Sequence, residues 1–166
     1  MTSEKTVNDL FDMAISAERA AKRLYEGLMA KFDHHPEVAA FWSRYAIEEE
    51  SHALWLERMR DALPEERLAK PADPLILQEA IKALEFSVER ALQDLTNLEE
   101  AYQLVNELEN AETNAIFEFL IEHFSEDDET RKFLRSQLRD HIRKLMIDLP
   151  IQFKGAATRQ AIRVKD

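Results

Sequence analysis

The chain has 166 residues, a length that suits one domain with a sizeable core. It holds no cysteine and only two glycines, which excludes disulfide frameworks, zinc ribbons and cysteine-ligated iron–sulfur clusters. Its net charge of −11 disfavours a nucleic-acid partner and suits the attraction of cations.

The opening MTSEKTVNDL carries no apolar signal segment, and no apolar run reaches membrane-spanning length. A cytoplasmic, soluble protein without a membrane or nucleic-acid partner is therefore expected. Strong helix formers dominate, and apolar residues recur at intervals of three and four, so helix is predicted almost throughout. The first helix is predicted from Lys5 to Asp33, with Phe11, Ala14, Ile15, Glu18, Ala21, Tyr25, Leu28 and Phe32 on one stripe. Pro36 suits the first turn of a second helix. That helix runs to Ala62, with Val38, Phe41, Tyr45, Glu49, His52, Leu56, Met59 and Leu63 on one face.

Pro64, Pro71 and Pro74 mark a connection, and Asp73-Pro74 caps an intermediate helix from Leu75 to Asp94. Thr96 and Glu99 form a capping-box pattern that starts a helix running to Phe124. Its stripe is Val105, Leu108, Glu112, Ala115, Phe119 and Leu120. Ser125 and Asp128 mark the start of the last long helix, predicted to end near Pro150. The division expected is a bundle over residues 1–150 and a basic tail over 151–166, packed loosely or serving an interface.

Short connections at Asp33–Pro36 and at Ser125 make each flanking pair of helices antiparallel. Between the pairs lies a long crossover that contains a whole helix. This all-α arrangement of two hairpins and a crossover is that of a ferritin-like antiparallel four-helix bundle. The hairpins also echo each other, because Phe32 to Phe41 and Phe124 to Phe133 have the same spacing.

Acidic side chains interrupt the apolar stripes. Glu18 sits among Ala14, Ala21 and Tyr25, and Glu49 and His52 lie one turn apart on one face. A carboxylate left unpaired in a core costs several kcal/mol, so each needs a partner. No basic residue shares the stripe near Glu18, and two readings remain open: a metal ion or a hydrogen-bonded polar cluster. Carboxylate oxygen and imidazole together suit iron or manganese. His141 shares a face with Leu134, Gln137, Leu138 and Leu145, either as a ligand or as a satisfied core histidine. Tyr25 either packs or hydrogen-bonds a carboxylate of the site. Glu48 and Glu50 are expected to face water, and His34, His35 and His123 to lie at the surface.

Ala17-Glu18 with Tyr25 seven residues on, followed by Glu49-x-x-His52-Ala53, resembles the first two helices of rubrerythrin-like proteins of the ferritin-like superfamily. The resemblance implies that Glu18, Glu49 and His52 ligate one half of a di-iron site. Glu109-Asn110-Ala111-Glu112 is similar to the family's Glu-x-x-Glu, which implies Glu109 and Glu112 as further ligands. The last helix departs from the pattern. With His141 as the ligand, Leu138 stands where a Glu belongs; in the register set by the phenylalanines, His141 replaces the Glu and Lys144 the His. One carboxylate is missing either way. The resemblance spans Asn8 to Leu149 and lacks a cysteine-bearing rubredoxin module.

The activity implied is that of an oxidoreductase reducing peroxide or dioxygen. Its iron would be di-iron or mononuclear, with zinc or manganese as other occupants, and electrons would come from an external donor. Iron handling or storage, and a non-catalytic bundle with a degenerate site, are the alternatives. A homodimer is expected.

Overall fold

The structure, a computed structural model, describes residues 4–110 and 112–166, with Glu112 and Thr113 in backbone only. Helix α1 (Val7–Lys31) and helix α2 (Pro36–Ala62) form the first hairpin. Thr6 and Asp9 cap α1 reciprocally, which fixes its start just after the predicted residue. Pro36 opens α2 as predicted.

The crossover holds three helices, α3 (Glu65–Leu68), α4 (Pro74–Leu84) and α5 (Val88–Asp94). Asp73 caps α4 by accepting from the Leu75 and Ile76 amides at 3.0 and 3.2 Å. The single intermediate helix of the sequence reading is divided, because the Ser87 hydroxyl caps a new start by accepting from the Arg90 amide. The crossover is pinned to the N-terminus by Val7 N–H to Lys70 O (2.8 Å) and Ala72 N–H to Lys5 O (2.9 Å).

The third long element is also divided, into α6 (Leu98–Glu109) and α7 (Glu112–Phe124). Asn97, not Thr96, caps α6 by accepting from the Glu100 amide, while Glu100 accepts from the Thr96 amide and hydroxyl, so the expected Thr96–Glu99 box does not form. At the far end Asn110 donates to the Asn106 carbonyl at 2.7 Å. In α7 the buried face is Ile116, Phe117, Leu120 and Ile121, while Ala115 is exposed and Phe119 half-buried, against the stripe predicted for one continuous helix.

Helix α8 (Asp128–Gln152) is capped by Asp127 and runs past Pro150, which lies in its last turn. A short α9 (Ala156–Ala161) follows. The tail is not loose. Leu98 N–H donates to Ile162 O (2.8 Å) and Val164 N–H to Thr96 O (3.0 Å), and the buried Arg159 pairs with Glu99. The hairpin echo does not extend to burial: Phe32 and Phe41 lie in the core, whereas Phe133 is 52% exposed.

The core consists of two apolar clusters stacked along the bundle. One gathers Leu24, Leu28, Phe32, Phe41, Trp42, Leu98, Val105, Leu145 and Leu149. The other gathers Leu10, Phe11, Ile15, Leu56, Ile116, Phe117, Leu120, Leu134 and Leu138. Each such side chain contributes roughly 1.5–3 kcal/mol on burial. Along every long element the clusters change over at a charged residue: Glu18 in α1, Glu49 and His52 in α2, Glu109 in α6 and His141 in α8. The bundle therefore has a polar layer at its middle, held between two apolar ends.

Candidate metal centre

Five ionisable side chains meet in that layer, and none is more than 5% exposed. Glu18 has Ala14, Ala17 and Ala21 as buried neighbours along α1, small residues that leave room beside its carboxyl group. Its Oε2 lies 3.5 Å from His52 Nδ1, and Glu49 Oε2 lies 3.4 Å from the same nitrogen. Glu49 Oε1 in turn lies 2.7 Å from His141 Nε2, and Glu109 Oε1 lies 3.1 Å from it. Glu49 is thus the hub, with one imidazole on each oxygen. One ligand atom each of Glu49, His52 and His141 fall within 4.8 Å of one another.

The electrostatics follow from burial and from these contacts. Burial, then the neighbouring Glu49 charge, pushes Glu18 well above the usual carboxyl range, which favours its protonated form. Burial acts on Glu49 in the same direction, yet His141, Glu18 and His52 hold it well below. Burial would lower His52, but Glu18 and Glu49 raise it to about 9. His141 is likewise raised by Glu49 and Glu109 against its own burial. Protons thus occupy the places where a cation would otherwise balance the acids.

Outer contacts orient this set. The Tyr25 hydroxyl donates to Glu109 Oε1, and burial followed by the Glu109 charge keeps that phenol protonated. Tyr25 also stacks on Trp42 at 5.8 Å, so it both packs and hydrogen-bonds. Asn114, one turn into α7, donates to Glu109 Oε2 at 3.0 Å and so spans the interruption between α6 and α7. A cleft of about 160 Å³ between α2 and α8 reaches His52 and His141 from the surface, past Glu48, Ser51, Trp55, Gln137, Asp140 and Lys144.

Of the residues singled out by sequence, Glu18, Glu49, His52, Glu109 and His141 come together. The side chain of Glu112 lies outside the described residues. On α8 it is His141 that points inward; Leu138 belongs to an apolar cluster, and Lys144 is exposed. Glu48 corrects the expectation that it faces water: its Oε2 lies 2.5 Å from His141 Nδ1. It flanks the apolar stripe of α2, and only the side on which α8 packs distinguishes it from a solvated glutamate. Glu50 does pair at the surface, with Lys22 at 3.2 Å. His34 and His123 are exposed, as expected.

A cation fits this donor set on an observation independent of likeness. Three buried carboxyl groups, Glu18, Glu49 and Glu109, converge on two imidazoles, and one ligand atom each of Glu49, His52 and His141 lie within 4.8 Å of one another. Buried acids that outnumber the imidazoles beside them leave negative charge that a cation would balance.

The fold and this layer define a ferritin-like helical bundle with a candidate carboxylate–histidine metal centre. The chain belongs to the rubrerythrin family, whose family model, described as Rubrerythrin, matches residues 9–140. It is also similar to a solved structure from Thermotoga maritima, described as that of a candidate ferritin-like diiron-carboxylate protein. That likeness has a TM-score of 0.64 at 19% identity and covers 92% of this chain and 99% of the other, which establishes the fold. No curated protein matches the chain. Among the described residues no helix is long and apolar enough to cross a membrane.

Proposed function

We propose that this protein binds iron in its central layer and acts as an oxidoreductase that reduces peroxide or dioxygen. The observation that carries the reading is Glu49, buried between two imidazoles that also face the buried carboxyl groups of Glu18 and Glu109. Glu18, Glu49 and His52 would hold one ion. Glu109 and His141, with Glu112 by its place in the family pattern, would hold a second. Leu138 leaves that second position one carboxylate short, so the two ions are proposed to bind with unequal affinity. Zinc or manganese would suit the same donors less specifically.

Bound iron supplies the electron transfer that no side chain here can perform. The chain's own residues do the rest. Glu18, His52 and His141 give up protons as a cation enters, and Glu49 links the two halves. Tyr25 and Asn114 hold Glu109 in place. The apolar clusters above and below exclude bulk water, and the narrow cleft favours an oxidant of few atoms. With no cysteine in the chain, electrons are proposed to come from an external donor. Pairing of two copies and a cytoplasmic setting belong to the same proposal.

The test is anaerobic loading of metal-free protein with ferrous iron, followed by peroxide or dioxygen. Two irons per chain, oxidised within seconds by substoichiometric peroxide, are expected. Stoichiometric binding without oxidation would leave a metal-binding protein and remove the enzyme. Large assemblies that mineralise many irons per chain would favour storage.

A further inference from the structure

We propose that Glu48 is a positioning residue that fixes the ring of His141 so that Nε2, and not Nδ1, is offered to a metal ion. The inference rests on the metal-centre reading above and adds a residue that the family pattern does not supply.

The two nitrogens of His141 face different surroundings. Nε2 points into the layer, toward Glu49 at 2.7 Å and Glu109 at 3.1 Å. Nδ1 points the other way, to Glu48 Oε2 at 2.5 Å. An imidazole that offers Nε2 to a cation must carry its remaining proton on Nδ1, and that proton needs an acceptor. Glu48 is that acceptor. It precedes Glu49 on the same helix, which turns its side chain about 100° toward α8. Consecutive residues of α2 therefore address opposite nitrogens of one ring.

This contact is not an ordinary surface ion pair. The His141 side chain is 1% exposed, whereas that of Glu48 is 37% exposed and lines the cleft with Lys144 and Asp140. Two ring contacts, Tyr45 at 5.5 Å and His52 at 4.8 Å, restrict the tilt of the His141 ring. Neither distinguishes a ring from the same ring turned over by 180°. The carboxylate does, because the turned ring would present a carbon to it. His52 differs: its Nδ1 faces the carboxylates, and no second carboxylate is paired with its other nitrogen among the described residues.

Cobalt(II) added to the metal-free full chain tests the proposal, with Glu48→Ala and Glu48→Gln as variants. Affinity is read from visible absorption, and the His141 Nδ1–H from its paramagnetically shifted, solvent-exchangeable proton resonance. The wild type is expected to show that resonance in slow exchange. Glu48→Gln, whose amide oxygen still accepts, should retain it with affinity within a few-fold. Glu48→Ala should lose or broaden it and bind cobalt(II) roughly 10–100-fold more weakly. An unchanged resonance and affinity in Glu48→Ala would overturn the assignment while leaving the metal centre standing. A wild type that binds no cobalt(II) would remove the metal-centre reading and this inference together.

Discussion

The two hairpins of the bundle contribute to the central layer in different ways. In α1 and α2 the helices are unbroken, and each polar residue of the site falls in register with the apolar stripe that carries it. The second half is interrupted beside Glu109, places Leu138 in an apolar cluster, and depends on outer contacts from Tyr25, Asn114 and Glu48 to hold its two polar groups. The contrast teaches that one half of a candidate metal centre can be written into helical periodicity alone, while the other is assembled by tertiary contacts.

The strongest way to break that contrast is to remove the residue both halves share. Glu49→Ala is expected to lower bound iron at least tenfold, measured as metal content after loading and desalting. Equal loss of both ions would confirm Glu49 as the hub. Metal content equal to that of the wild type would show that the layer is a polar cluster only.

A second variant sharpens the comparison by repairing the weaker half. Leu138→Glu introduces the missing carboxylate, and titration with ferrous iron should move the weaker site toward the stronger. The metal-free variant should lose about 3–5 kcal/mol in denaturant unfolding, because a carboxyl group then replaces a buried Leu in an apolar cluster. A variant with both unchanged affinity and unchanged stability would place residue 138 away from the ion.

The acid–base balance of the first half gives a third test. The folded His52 titrates at about 9, above the roughly 6.5 of an unfolded histidine, so its contribution is fully present below pH 6.5 and is lost as pH rises toward 9. Glu18, also raised, acts with the same sign. Metal-free protein should therefore lose on the order of 3 kcal/mol over that interval, read as a falling Tm. Metal affinity should rise over the same range, because fewer protons must leave. A metal-free Tm that climbs from pH 6.5 to 9 would contradict the proton placement.

The smallest effect belongs to the outer contacts of the second half. Tyr25→Phe leaves Glu109 without its phenol donor and should cost about 1–3 kcal/mol of metal-free stability. Its effect on the tighter metal site should be slight, which separates the halves again.

These halves also explain what was legible in the sequence. Long stripes with a carboxylate at their centre gave α1, α2 and Glu18, Glu49 and His52 directly, because a 3.6-residue repeat marks a buried face. The break before α7 is not legible, because helix formers flank it on both sides. Ala115 falls outside the buried face because the expected stripe runs through the half-buried Leu108, whereas the buried Val105 and Glu109 continue to Ile116 and Leu120. The loose packing expected of the tail fails because Arg159 is buried beside Glu99 and the Tyr102 ring, contacts between residues far apart in sequence. Glu48 was misread because periodicity identifies a face but not the neighbour that covers its edge.

A charged waist between two greasy ends divides the rod into two short stacks that meet at a hydrophilic seam. Each stack alone lacks the length for a robust bundle, so whatever neutralises the seam acts as a rivet through all four staves. An ion there should make both ends melt in a single step, and hydrogen exchange should slow most at the midpoint when it is loaded.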